Sequence, residues 1–173
     1  VSDINIDRTI PQISGLATTA PNGAGWYKAP VEMAWTCSDA LSGIASGACP
    51  ANSTTVGEGE AVSVSGTVSD RAGNAATGSS ESVKIDLTAP STGVSSPPTW
   101  SKEDVTLTLS PSDGLSGVAS TQYRIDAGPT QTGTAPLVSG EGHHTVSFWS
   151  TDKAGNVESP ASVQVRIDVT APS

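Results

Sequence analysis

Apolar and polar residues alternate along most of this chain, and the period of two is that of strands with one buried face. Val31, Met33, Trp35 and Cys37 fall on one face of such a segment, as do Val105, Leu107 and Leu109 further on. Val62, Val64 and Val68 form a third row, matched by His144, Val146, Phe148 and Ser150; Val83 and Ile85 match Val163, Val165 and Ile167. No stretch of a dozen residues has helical periodicity. Short alternating runs broken by Gly and Pro predict an all-β sandwich.

The pattern occurs twice. IDRTIP at Ile6 to Pro11 returns as IDLTAP at Ile85 to Pro90 and as IDVTAP at Ile167 to Pro172. SDALSGI from Ser38 returns as SDGLSGV from Ser112, GEG from Gly57 returns from Gly140, and SDRAGN from Ser69 is matched by TDKAGN from Thr151. Self-similarity at a fixed period marks domain boundaries without appeal to propensity. It predicts one domain over 1–87 and a second over 88–173, with the boundary at Ile85 to Pro90. The offset grows from 74 residues at SDALSGI to 82 or 83 at the GEG and DxAGN landmarks, which places an insertion of about eight residues near Tyr123 to Pro136 of the second copy. The third IDxTxP copy is expected to begin a further unit of a longer array.

Composition narrows the setting. The chain has 173 residues with Gly 18, Pro 12 and only 4% aromatic content, which suits two small cores better than one large one. Its net charge of −9 removes the basic surface that nucleic acid or an anionic membrane would need. No window approaches the length of apolar sequence that spans a membrane. Cys37 and Cys49 lie outside any CxxC motif and far from His143 and His144, so a disulfide in an oxidising compartment is expected, closing a loop of about a dozen residues.

The IDxTAP junction, the WTCSDALSGI stretch, the GEG turn and the DxAGN hairpin together resemble the bacterial Ig-like repeats found in tandem on secreted enzymes, adhesins and cell-surface stalks. The resemblance implies two tandem immunoglobulin-like β-sandwich domains, secreted or at the cell surface, serving as a non-catalytic spacer or stalk that presents another domain, for instance in adhesion. Neighbouring Ig-like repeats of the parent chain would be the partners. Cys37 aligns with Pro111 and Cys49 with Tyr123, so only the first copy can form the disulfide.

Proline at each junction ends strand pairing and stiffens the crossing, as in a domain linker. Gly73 and Gly155 suit the positive φ of a hairpin turn, and Asp70, Asp152, Asn74 and Asn156 suit bonds to nearby amides. Ig topology adds a second reading, in which the entering Asp, the loop after the second strand and the last hairpin share one end. Asp7, Asp39, Asp70 and Asn74 would then converge in the first copy, and Asp86, Asp113, Asp152 and Asn156 in the second. Such a group could bind calcium, which takes oxygen ligands, or could simply cap turns.

Trp26 and Trp100 occupy equivalent positions, and Trp149 has the parity opposite to Val146 and Phe148 and should point outward. As exposed aromatics they would suit a polysaccharide or another surface ligand. No nucleophile, base and acid cluster in the sequence, so an enzyme is not expected. His143 is expected to face solvent and His144 to take a core position. Asn52 in NST matches a glycosylation acceptor. A monomer is expected unless the modules assemble into a fibre.

Overall fold

The computed structural model describes residues 5–171, which contain strands and no helix. They divide into two compact units, with the boundary between Leu87 and Thr88. Pro172, the end of the third IDxTxP copy, lies outside the described residues.

In the first unit, β1 (Gln12–Ala17), β2 (Glu32–Ser38) and β3 (Ser53–Thr54) form an antiparallel sheet in that order. Facing it, β4 (Gly59–Val62) pairs with β7 (Val83–Ile85), and β5 (Ser65–Ser69) pairs with β6 (Ala75–Ser79). These two ladders are joined by Ser80: its N–H donates to the Val64 carbonyl at 2.8 Å, and its hydroxyl accepts from the Val64 N–H at 3.2 Å. The alternation that runs from Val31 into β2, with that of β7, buries Val31, Met33, Val83 and Ile85 in one cluster, packed by Ala17, Tyr27, Val62 and Val64.

The other half of this sandwich is filled differently. Trp35 and Ile13 project from the first sheet into space left by glycines. A Cβ on Gly66 would lie 3.0 Å from the Trp35 ring, and one on Gly78 would lie 2.7 Å from Ile13 Cγ2. Glycine is needed here because the facing sheets leave room for one large side chain and no second one. The Trp35 Nε1–H meets Ser53 Oγ at 3.0 Å, so the half-buried indole keeps its hydrogen bond.

The second unit is a fuller version of the same plan. β8 (Ser91–Val94) pairs with β10 (Leu109–Ser112), and β9 (Val105–Thr106) pairs with β13 (Leu137–Val138). The opposing sheet has the order β12 (Gln131–Thr132), β11 (Val118–Ile125), β14 (Gly142–Asp152) and β15 (Ala161–Ile167). Val105, Leu107, Leu109 and Val138 from one sheet meet Tyr123, Val146, Phe148, Val165 and Ile167 from the other. This is the immunoglobulin-like β-sandwich.

The extra residues of the second copy form the end of β11, its turn and β12. The first unit has no strand in the place of β11. Residues 39–52 make one bridge to the facing sheet, Ile44 to Asp70, reinforced by the Ala45 N–H on the Ser69 carbonyl at 3.0 Å. Where Tyr123 enters the second core, the first unit has the Cys37–Cys49 disulfide.

Candidate functional site

The loops that carry the repeated motifs meet at one end of the first unit. Asp39 follows β2, and its Oδ1 accepts the N–H groups of Leu41 at 3.1 Å and Gly43 at 2.8 Å, which curls SDALSG back on itself. Asp70 follows β5 and is buried. Its Oδ1 accepts the Asn74 N–H at 2.8 Å and its Oδ2 accepts Asn74 Nδ2–H at 2.8 Å, closing the DRAGN turn around Gly73 at φ +93°. The two loops are tied by the Arg71 N–H on the Gly43 carbonyl at 3.0 Å.

The segment leading into the unit is held against both loops. Asp7 Oδ2 accepts the Ser42 N–H at 3.0 Å, and the Asp7 carbonyl accepts from Asn74 Nδ2 at 3.3 Å. Asp7 Oδ1 accepts from the Thr9 N–H and hydroxyl. Hydrogen bonds from Ser42 and then Thr9 hold the Asp7 carboxyl far below the ordinary carboxylate value. Asp7, Asp39 and Asp70 each bring a carboxylate oxygen within 4.8 Å of the others. Two oxygens on opposite sides of a calcium ion are separated by about 4.8 Å, so the spacing fits that cation, although the oxygens already accept protein donors.

The second unit repeats the two Asp-closed loops and the tie between them, but its turn asparagine reaches the carbonyl of Thr88, the counterpart of Thr9, where Asn74 reaches that of Asp7. Asp113 Oδ1 accepts from Leu115 at 3.1 Å and Gly117 at 2.6 Å; Asp152 accepts the Asn156 N–H at 2.8 Å and Nδ2–H at 2.7 Å. The Lys153 N–H meets the Gly117 carbonyl at 2.9 Å, and Asn156 Nδ2 donates to the Thr88 carbonyl at 3.5 Å. Asp86, the sequence counterpart of Asp7, belongs to the first unit, where its N–H donates to the Tyr27 carbonyl at 2.9 Å.

Cys37 and Cys49 form a disulfide with Cα atoms 5.8 Å apart, and no cysteine is free. It fastens the end of β2 to the segment that replaces a strand. The disulfide fits an extracellular, oxidising setting. No helix of the described residues is long and apolar enough to cross a membrane.

The three candidate aromatics differ in exposure. Trp26 is only 6% exposed and offers no free face, contrary to the expectation. Asn22 causes this: its Oδ1 accepts the N–H groups of Ala24 at 2.9 Å and Trp26 at 3.0 Å, and the resulting turn folds the indole inward under the Lys84 ammonium, 5.6 Å from the ring centre. Trp100 is 51% exposed and stands edge-on to His143, with centroids 5.3 Å apart. Trp149 is half-buried on the outer face of β14, opposite Gln122. Exposed His143 lies on that outer face, and Asn52 is exposed.

Two polar features have no counterpart in the sequence expectations. Glu158 accepts the N–H groups of Thr92 at 2.9 Å and Ser150 at 2.6 Å, while the hydroxyls of Thr92, Ser150 and Thr121 form a chain at 2.7 and 2.9 Å across the second sandwich. His144, at a core parity, turns to Asp126 and the Gly140 carbonyl. The replacement of valine parity by histidine was the one signal of the latter.

No family model matches the chain, and no curated protein matches its sequence. Among solved structures it is similar to the fibronectin(III)-like modules of Clostridium thermocellum CbhA, at 12% identity and a TM-score of 0.43, over 90% of this chain and 94% of that one.

Proposed function

We propose that this chain is a non-catalytic, extracellular spacer, a stretch of a tandem Ig-like array that presents another domain of its parent protein. One observation carries the reading: the motif residues repeated in the sequence are consumed in the same structural task in each unit. Asp39, Asp70 and Asn74, like Asp113, Asp152 and Asn156, shape two loops and hold the segment that leads into the unit. Residues repeated for that purpose serve the joining of modules. The disulfide adds support for an oxidising setting. Small-angle scattering tests the reading: a spacer gives an extended, monomeric particle, and a profile as compact as a single globule of this mass would refute it.

Calcium at the loop end is a subsidiary proposal, supported by the spacing of Asp7, Asp39 and Asp70. A cation there would relieve the repulsion of three carboxylates. The melting midpoint then rises with calcium and falls with chelator; an unchanged midpoint removes the ion from the account.

A second reading, binding of a polysaccharide, is favoured by the exposure of Trp100, with Trp149 on the same unit. Retention on insoluble cellulose, chitin or xylan that Trp100→Ala abolishes would support it. Absence of retention on all three would retire it.

A further inference from the structure

The second unit contains a histidine whose two ring nitrogens both face acceptors. His144 Nδ1 lies 2.9 Å from Asp126 Oδ2, and Nε2 lies 3.1 Å from the Gly140 carbonyl oxygen. A neutral imidazole carries one N–H and can satisfy one of these bonds; only the imidazolium satisfies both. The side chain is mostly sheltered, with 16% of its surface exposed.

Asp126 is itself fastened to the strand that carries the histidine. Its Oδ1 accepts the Thr145 N–H at 2.7 Å, and its own N–H donates to the Thr145 carbonyl at 2.8 Å. It occupies the turn between β11 and β12 at φ +51°, the left-handed region, where a non-glycine residue needs support from its surroundings. The Asp126 carboxylate thus joins the β11–β12 hairpin, which the first unit lacks, to the start of β14.

We propose that His144 and Asp126 form a proton-operated latch that fixes the β11–β12 turn to β14 when His144 is protonated and releases part of that hold when it is not. Asp126 is the charged group that faces the ring, and residues 125–130 contribute no other ionisable side chain. On the approach to β14, the Glu141 carboxylate accepts from the Thr170 hydroxyl at 3.1 Å. On β15 the residue paired with His144 is Val165, and the neighbouring Arg166 and His143 have the opposite parity.

The hydrogen bond from Asp126, then that from Gly140, raises the His144 pKa above the ordinary histidine value of 6.5, against the opposing effect of burial. A raised folded value means that the latch contributes fully below about 6.5 and is lost as pH rises through the folded value. The first unit contains no histidine and has no such dependence.

The test is an NMR titration of the whole chain, with His143→Gln used to assign the two histidine signals. The expected result is a His144 midpoint above 6.5, with the Asp126 and Thr145 amide shifts moving at the same midpoint. Asp126→Asn should return His144 toward 6.5. A His144 midpoint at or below 6.5 would overturn the proposal, as would Asp126 and Thr145 amides that do not move with it, or a midpoint indifferent to Asp126→Asn. The titration of the unsubstituted chain decides the matter even where the variant folds poorly.

Discussion

Replacing both half-cystines of the first unit, Cys37→Ala with Cys49→Ala, isolates what the disulfide does in place of a strand. The bond closes a loop with a sequence separation of 12. By the chain-entropy relation, a loop of that length stabilises the folded state by about 3 kcal/mol, through restriction of the unfolded chain. The folded state loses something further, because residues 39–52 form no paired strand there and meet the facing side at the Ile44 bridge to Asp70, flanked by the Ala45 to Ser69 and Arg71 to Gly43 bonds. For a domain of this size each kcal/mol moves the midpoint by about 4 to 8 °C, so one transition should fall by about 12 to 24 °C. Differential scanning calorimetry of the whole chain is the assay, and the transition of the second unit should stay in place. A shift below about 5 °C, or an equal shift of both transitions, would refute the view that the cross-link substitutes for strand pairing in the first unit alone.

Three further outcomes follow from particular contacts. Gly78→Ala places a Cβ 2.7 Å from Ile13 Cγ2 and 3.0 Å from the Ile13 carbonyl, so overpacking should cost about 1 to 3 kcal/mol in urea melts, whereas Gly23→Ala, with open space around it, should cost little. Asp70→Ala removes the acceptor of two Asn74 bonds at a buried site and should cost about 3 kcal/mol, while exposing the DRAGN turn to proteolysis. The lowered pKa of Asp7 means that its contribution is present above about 3.8 and is lost as pH falls toward the lowered value; Asp7→Asn should therefore flatten the acid decline of the first unit's melting temperature.

Much of the fold was legible because alternation reports burial directly. Val31 and Met33, and Val105, Leu107 and Leu109, are buried on the faces that their spacing indicates. The DRAGN and DKAGN turns were equally readable, since their bonds are local. What alternation could not convey is which large side chain faces which gap. Gly66 and Gly78 read as weak strand residues, yet they seat Trp35 and Ile13. Trp26 misled for a related reason: its burial is decided by Asn22, four residues away, whose cap reverses the chain. The offset between copies located the insertion but gave no hint that the first unit forgoes a strand there. Nor did any pattern predict the chain of Thr92, Ser150 and Thr121, which depends on contacts across the sandwich between residues far apart in sequence.

The chain divides into two compact units, the first of them cross-linked. Pulling single molecules from end to end tests this most directly. Two separate unfolding events are predicted, with one of them lengthening by ~40 Å when the disulfide is reduced, because 12 residues of separation are then released at ~3.5 Å each. A single event releasing the whole chain at once, or two events with neither sensitive to reductant, would contradict it.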